Sequence, residues 1–137
     1  MFSSVASALF FMGLCRTASM LHDQASRSTR KHLNKEKVKL MEDVFAKHEP
    51  WLIESGERKE YKSGLLRHED YISDRLTMVV LGCIDGSRNH AVAFFDHWVF
   101  DSNETHAMPI CDESLNRAAP PGFDKIVWAI RYAKRKK

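Results

Sequence analysis

Residues Asn89 to Asn103, NHAVAFFDHWVFDSN, hold the side chains best suited to chemistry. A histidine opens a short apolar run, and Asp-Ser-Asn closes a second run eleven to thirteen residues later. If the two runs pair as a hairpin about Asp96-His97, residues equidistant from the turn face each other. His90 then lies near the register of Asp101 to Asn103. An imidazole beside a carboxylate or amide is the arrangement of a general base, because the partner fixes the ring tautomer and steadies the imidazolium that forms. A nucleophile must come from elsewhere, and Cys15 is the best placed in the sequence. It follows Gly13-Leu14 and is expected to open a helix, where the helix dipole and a neighbouring imidazolium favour thiolate. The same cysteine also reads as a small apolar residue of a buried helix, and free cysteine is among the most buried residue types. Likewise Asp101 and Asn103 read equally as turn residues.

The elements that must position these groups fall into two halves. Residues 1–75 read as helical and charged, residues 76–137 as strands with turns. Val5 to Cys15 is an uncharged eleven-residue stretch. It is expected to be a folded helix, with a secretory signal or a mitochondrial presequence over about residues 1–20 as alternatives, since the first 22 residues carry no acid. Gly13 offers a break, and Cys15 to Gln24 follows as a second helix. Leu33, Val38, Leu40, Met41, Val44 and Phe45 mark one side of a third, with i, i+4 pairs at Leu40/Val44 and Met41/Phe45. Pro50 ends it. Trp51 to Ile53 is an apolar anchor, and Glu54 to Ser63 reads as charged and exposed. Leu76 to Ile84 is a continuous apolar run expected to be a strand buried on both faces, followed by an Asp85-Gly86 turn. His90 to Phe95 and Trp98 to Phe100 are further strands. Phe94 and Phe95 cannot face the same side of a strand. A short helix is expected within Pro109 to Ala119, with Cys111 or Asp112 near its cap. Pro120-Pro121-Gly122 forbids continuation, and Phe123 to Tyr132 is the last strand. Residues 133–137 form a basic tail. Helices before strands predict an α+β fold, with N-terminal helices followed by a small antiparallel sheet.

At this point the hairpin string resembles a family. HAVAFFDHWVFDSN is similar to the His-strand-turn-strand-Asp segment of papain-like cysteine peptidases in their smaller, divergent forms. These include bacteriocin-processing peptidases, Josephin-type deubiquitinases and peptidase-like proteins of protist mobile elements. Ala107 to Cys111, AMPIC, looks like the ALPLS-type strings of the mobile-element forms. The resemblance implies a papain-like half-fold and hydrolysis of a peptide or isopeptide bond in a protein or peptide substrate. It implies Cys15 as the attacking sulfur within GLCRTASML, His90 as base and Asp101 as the orienting residue, with Asn103 as its substitute. It covers residues 89–132, touches 13–21 thinly and leaves the middle third unmatched. The chain departs from the family before the cysteine. Papain-like enzymes usually carry a Gln there as an oxyanion donor, whereas residues 7–12 read SALFFM. Loss of such a donor costs about a hundredfold in rate. The peptidase-like reading therefore includes a truncated or inactive copy, and the competing expectation is a non-catalytic protein-interaction module, either mobile-element derived or secreted.

Composition limits the remaining classes. The 137 residues suit one domain, and 44% apolar with 28% charged residues describes a globular chain. A net charge of +3 demands neither nucleic acid nor an anionic membrane, although the KRKK tail could make weak phosphate contacts. No apolar run reaches the roughly 18 residues needed to cross a bilayer. Three cysteines, Cys15, Cys83 and Cys111, do not make a disulfide scaffold and favour a reducing, intracellular compartment. Cys83 reads as core. His90, His97, His106 and Cys111 cluster in sequence without the close pairs of zinc sites, so no metal or cofactor is expected.

Overall fold

The computed structural model describes residues 2–27, 34–53, 57–60, 73–82, 89–101, 103–104, 106–119 and 125–132. Three helices come first: α1 (Phe2–Phe11), α2 (Cys15–Arg27) and α3 (Asn34–His48). A 3-10 turn at Pro50–Leu52 follows α3. Then come β1 (Glu57–Glu60), β2 (Ser73–Gly82), β3 (Asn89–Asp96), β4 (Trp98–Asp101), β5 (Met108–Pro109), α4 (Asp112–Ala118) and β6 (Lys125–Arg131). The strands form one antiparallel sheet in the order β1-β6-β2-β3-β4-β5. The fold is therefore α+β, helices before sheet.

The break between α1 and α2 has an identifiable cause. Gly13 sits at φ +85°, its N–H donates to the Phe10 carbonyl at 3.0 Å, and the Leu14 N–H donates to the Leu9 carbonyl at 2.9 Å. These two bonds are the Schellman ending of a helix, which needs a left-handed residue just past the cap. Leu14 and Leu9, the residues that the motif brings together, are both buried in one core cluster. The turn folds α2 back along α1.

The sheet has two buried faces. One receives Met78, Val80, Ala91, Ala93, Phe100 and Ile130, packed with Val5, Ala6, Ala8 and Leu9 of α1, Ala18 and Leu21 of α2, and Met41 and Phe45 of α3. Alanines at 91 and 93 let α1 lie close to β3, and α1 packs on both β3 and β4. The Phe45 ring stands edge-on to Tyr132, centroids 5.3 Å apart. The other face receives Val79, Leu81, Val92, Phe94 and Val99, covered by Leu115 and Ala118 of α4. Phe94 and Phe95 thus part as strand alternation requires: Phe94 is buried beneath α4, and Phe95 is half-buried against the α1 side.

Asp96-His97 is the two-residue connection of the β3–β4 hairpin, since Phe95 pairs with Trp98. Asp96 takes φ +57°, a conformation that Asp tolerates better than most residues other than Gly and Asn. Pro50 ends α3 as expected, and Leu52 behind it is fully buried. Residues 57–60, within the stretch Glu54 to Ser63 that the sequence pattern assigns to no element, form edge strand β1, paired with β6. An edge strand accommodates charged residues because only one of its sides must pair. Cys83, the Asp85-Gly86 turn, Pro120 to Gly122 and the basic tail 133–137 lie outside the described residues.

A β-carbon added at Gly13 would meet nothing within 4 Å. Gly13→Ala therefore isolates the cost of the positive φ, and we expect it to lower unfolding free energy by about 1 kcal/mol. Urea titration checks this, with Gly13→Asn expected to lose less.

Candidate functional site

The hairpin register places the two candidate groups diagonally. Asp101 pairs with Val92, so His90 lies two residues further along β3 on the same face. Diagonal neighbours of this kind come within reach of long or aromatic side chains. Here the His90 ring does reach: its Nε2 lies 2.9 Å from Asp101 Oδ1. The carboxylate side chain is 1% exposed and the imidazole 14%.

Asp101 ends β4 and starts a turn. Its main-chain carbonyl accepts the Glu104 N–H at 3.0 Å. Its Oδ1 accepts the Asn103 N–H at 3.0 Å, as well as the contact from His90. Burial pushes the Asp101 carboxyl upward, but the His90 hydrogen bond, the Asn103 N–H and the positive charge available on His90 outweigh it. The net result is a carboxyl held below its ordinary value. An ionised carboxylate only accepts hydrogen bonds. The proton between the two groups therefore belongs to Nε2, and a neutral His90 ring must present Nδ1 as its proton acceptor. A buried carboxylate on one ring nitrogen, with basic capacity on the other, is chemically a general-base pair.

Cys15 is not brought to this pair. It opens α2, as expected, and its side chain is exposed. Two observations separate it from His90. First, α1 runs along β3 from the Ser4 hydroxyl, which donates to the Ala91 carbonyl at 3.4 Å, to Phe11. The Phe11 ring packs 6.3 Å from Phe95 and 5.7 Å from both Trp98 and Phe100. Seven helical residues rise about 10 Å, so the turn leading to Cys15 lies at the hairpin-tip end of β3, away from His90. Second, α1 and α2 pack on the sheet face of Ala91, Ala93 and Phe100. His90 lies across from Leu81, and Asp101 across from Val92, both of the opposite face. The convergence of thiol, imidazole and carboxylate expected from the sequence is thus reduced to imidazole and carboxylate. The reason is strand alternation, which turns the α1 contacts and the His90 side chain to opposite sides.

Asn103 touches the pair through its main chain, a role its expected use as a substitute carboxamide did not include. The signal was present, since Asp at the first position of a turn commonly accepts the N–H two residues on. Cys111 is exposed at the cap of α4, where the Ser114 main-chain N–H first and the Ser114 hydroxyl second hold its thiol below its ordinary value, and the Cys111 N–H donates to Ser114 Oγ at 3.0 Å. Glu49, which carried no functional reading, accepts hydrogen bonds from Thr17 Oγ1 at 3.5 Å and Trp51 Nε1 at 2.6 Å, tying α2 to the end of α3. His97 and His106 are exposed. Among the described residues no group of three or more His, Cys, Asp or Glu could hold a metal ion, and no helix is long and apolar enough to cross a membrane.

No protein family, curated protein or solved structure matches the chain.

The depressed Asp101 carboxyl makes a pH prediction. A group whose folded value lies below its unfolded one, about 3.9, contributes stability that is complete above that value and is lost as pH falls through the folded value. Asp101→Asn keeps an acceptor for Asn103 and His90 but removes the charge. We expect it to be less stable than the wild type near neutrality by about 1–3 kcal/mol, with the gap shrinking as pH drops below about 4. Urea unfolding at stepped pH measures it.

Proposed function

We propose that this chain is a domain like the papain-like cysteine peptidases that keeps the general-base half of the hydrolytic site, His90 with Asp101. It binds a peptide or isopeptide-linked protein there without turning it over through Cys15. The observation that carries this reading is the 2.9 Å contact between His90 Nε2 and a nearly inaccessible Asp101 carboxylate. A surface turn needs no such pair, because the Glu104 N–H on the Asp101 carbonyl already closes the turn. The partly exposed imidazole stays accessible to a ligand. The hairpin string from His90 to Asn103 supplies the likeness to peptidases, and peptide is the ligand class that likeness implies.

The placement of Cys15 favours binding over turnover. Nucleophilic catalysis needs the thiol within hydrogen-bond reach of the base. Here the segment that leads to it packs on the other face of the sheet. The missing oxyanion amide in residues 7–12 points the same way. A shift of α1 large enough to change faces would expose Val5, Ala6, Ala8 and Leu9, all fully buried.

Two measurements test the reading. Near neutral pH, iodoacetamide should label Cys15 at the rate of an ordinary exposed thiol, with His90→Ala changing that rate by less than about twofold. Fast labelling that falls tenfold or more in His90→Ala, on the order expected for a lost thiolate-imidazole pair, would instead assign Cys15 as a working nucleophile. Addition of a casein digest should move the backbone resonances of His90, Asp101 and Asn103 more than those at the Asp96-His97 tip. Shifts absent from the His90 end would remove peptide binding from the account.

A further inference from the structure

Resting on the base-pair reading, we infer that Asn103 is a positioning residue for His90 that acts through its main-chain N–H. Its carboxamide plays no part in that action. One oxygen, Asp101 Oδ1, takes both the His90 Nε2 contact at 2.9 Å and the Asn103 N–H at 3.0 Å. A carboxylate on one acceptor contact can still swing about its side-chain torsions. The second donor sits on the chain two residues further on and holds the oxygen where the diagonal His90 ring meets it. The turn behind it is closed separately by the Glu104 N–H on the Asp101 carbonyl, 3.0 Å, so the Asn103 donor is spent on the side chain alone. The Asn103 residue itself is exposed, in keeping with a role that leaves its carboxamide to solvent.

The consequence is a link between loop and base. The backbone of residue 103 sets the carboxylate, the carboxylate sets the ring proton on Nε2, and the ring proton leaves Nδ1 as the basic nitrogen. A ligand or substitution that turns the 103 peptide away would loosen the carboxylate's hold on the Nε2 proton without touching His90.

Ring 15N resonances of His90 above its titration read the tautomer directly and do not depend on activity. The wild type and Asn103→Ala should both show Nε2–H as the dominant form. Asn103→Pro, which has no N–H, should show a smaller Nε2–H fraction than either. A wild-type ring without dominant Nε2–H overturns the base-pair reading and this inference together. A normal wild-type ring that stays unchanged in Asn103→Pro, or changes as much in Asn103→Ala, overturns the inference alone. Should Asn103→Pro fail to fold, the wild-type Asn103 amide proton decides. It should shift on acidification in step with the Asp101 carboxyl 13C, and an amide that ignores that titration overturns the assignment.

Discussion

A carboxylate withdrawn from water must be given donors, and in this protein the need falls on Asp101. Its side chain is almost wholly inaccessible. An unpaired charge so placed would cost several kcal/mol or else be protonated. The hairpin meets that demand from two directions, with a ring from the neighbouring strand and an N–H from the turn that follows. Each donor must arrive at one oxygen, so the register of β3 against β4, the length of the Asp96-His97 connection and the path of the chain after Asp101 are bound together. A slip of one residue in that register would send His90 to the α1 side and leave the carboxylate with the turn alone.

The same alternation decides what the helices can contribute. The sheet face that takes α1, α2 and α3 is the larger core, built on small residues at 91 and 93 and on the Phe45–Tyr132 edge contact. The face that holds His90 and Asp101 is covered by α4, which Ser114 pins through hydrogen bonds to the Pro109 and Cys111 carbonyls at 2.6 and 3.0 Å. Cys15, led by α1, therefore belongs to one layer and the His90–Asp101 pair to another. The His90–Asp101 pair and the packing of α1 use opposite sides of the hairpin.

Much of this arrangement is legible in the residues themselves. The Leu40/Val44 and Met41/Phe45 spacings mark the buried side of α3, Gly13 marks the break before Cys15, and Asp96-His97 sits midway between runs that can pair. Those runs also place His90 near the register of Asp101 to Asn103, because antiparallel register is arithmetic once the turn is placed, although the meeting with Asp101 itself is a diagonal contact two positions off that register. The faces were harder to read. HAVAFF is apolar at alternate positions of both sets, so nothing in it says which side α1 will choose, and the Cys15 placement depends on that choice. Edge strand β1 was hidden for another reason. Glu57-Arg58-Lys59-Glu60 has no apolar alternation, and its pairing is supplied by β6, some seventy residues away in the chain. The insertion of β6 between β1 and β2 is likewise a long-range choice that no local pattern encodes.

The central claim is that His90 and Asp101 interact as a pair and are not merely near each other. A double-mutant cycle of His90→Ala, Asp101→Ala and the combined variant, read by urea unfolding near neutral pH, measures that interaction with the background of each substitution removed. A coupling of about 1–3 kcal/mol is expected, as for a hydrogen bond to a charged group. A coupling indistinguishable from zero, with the two single losses simply adding, would contradict the account.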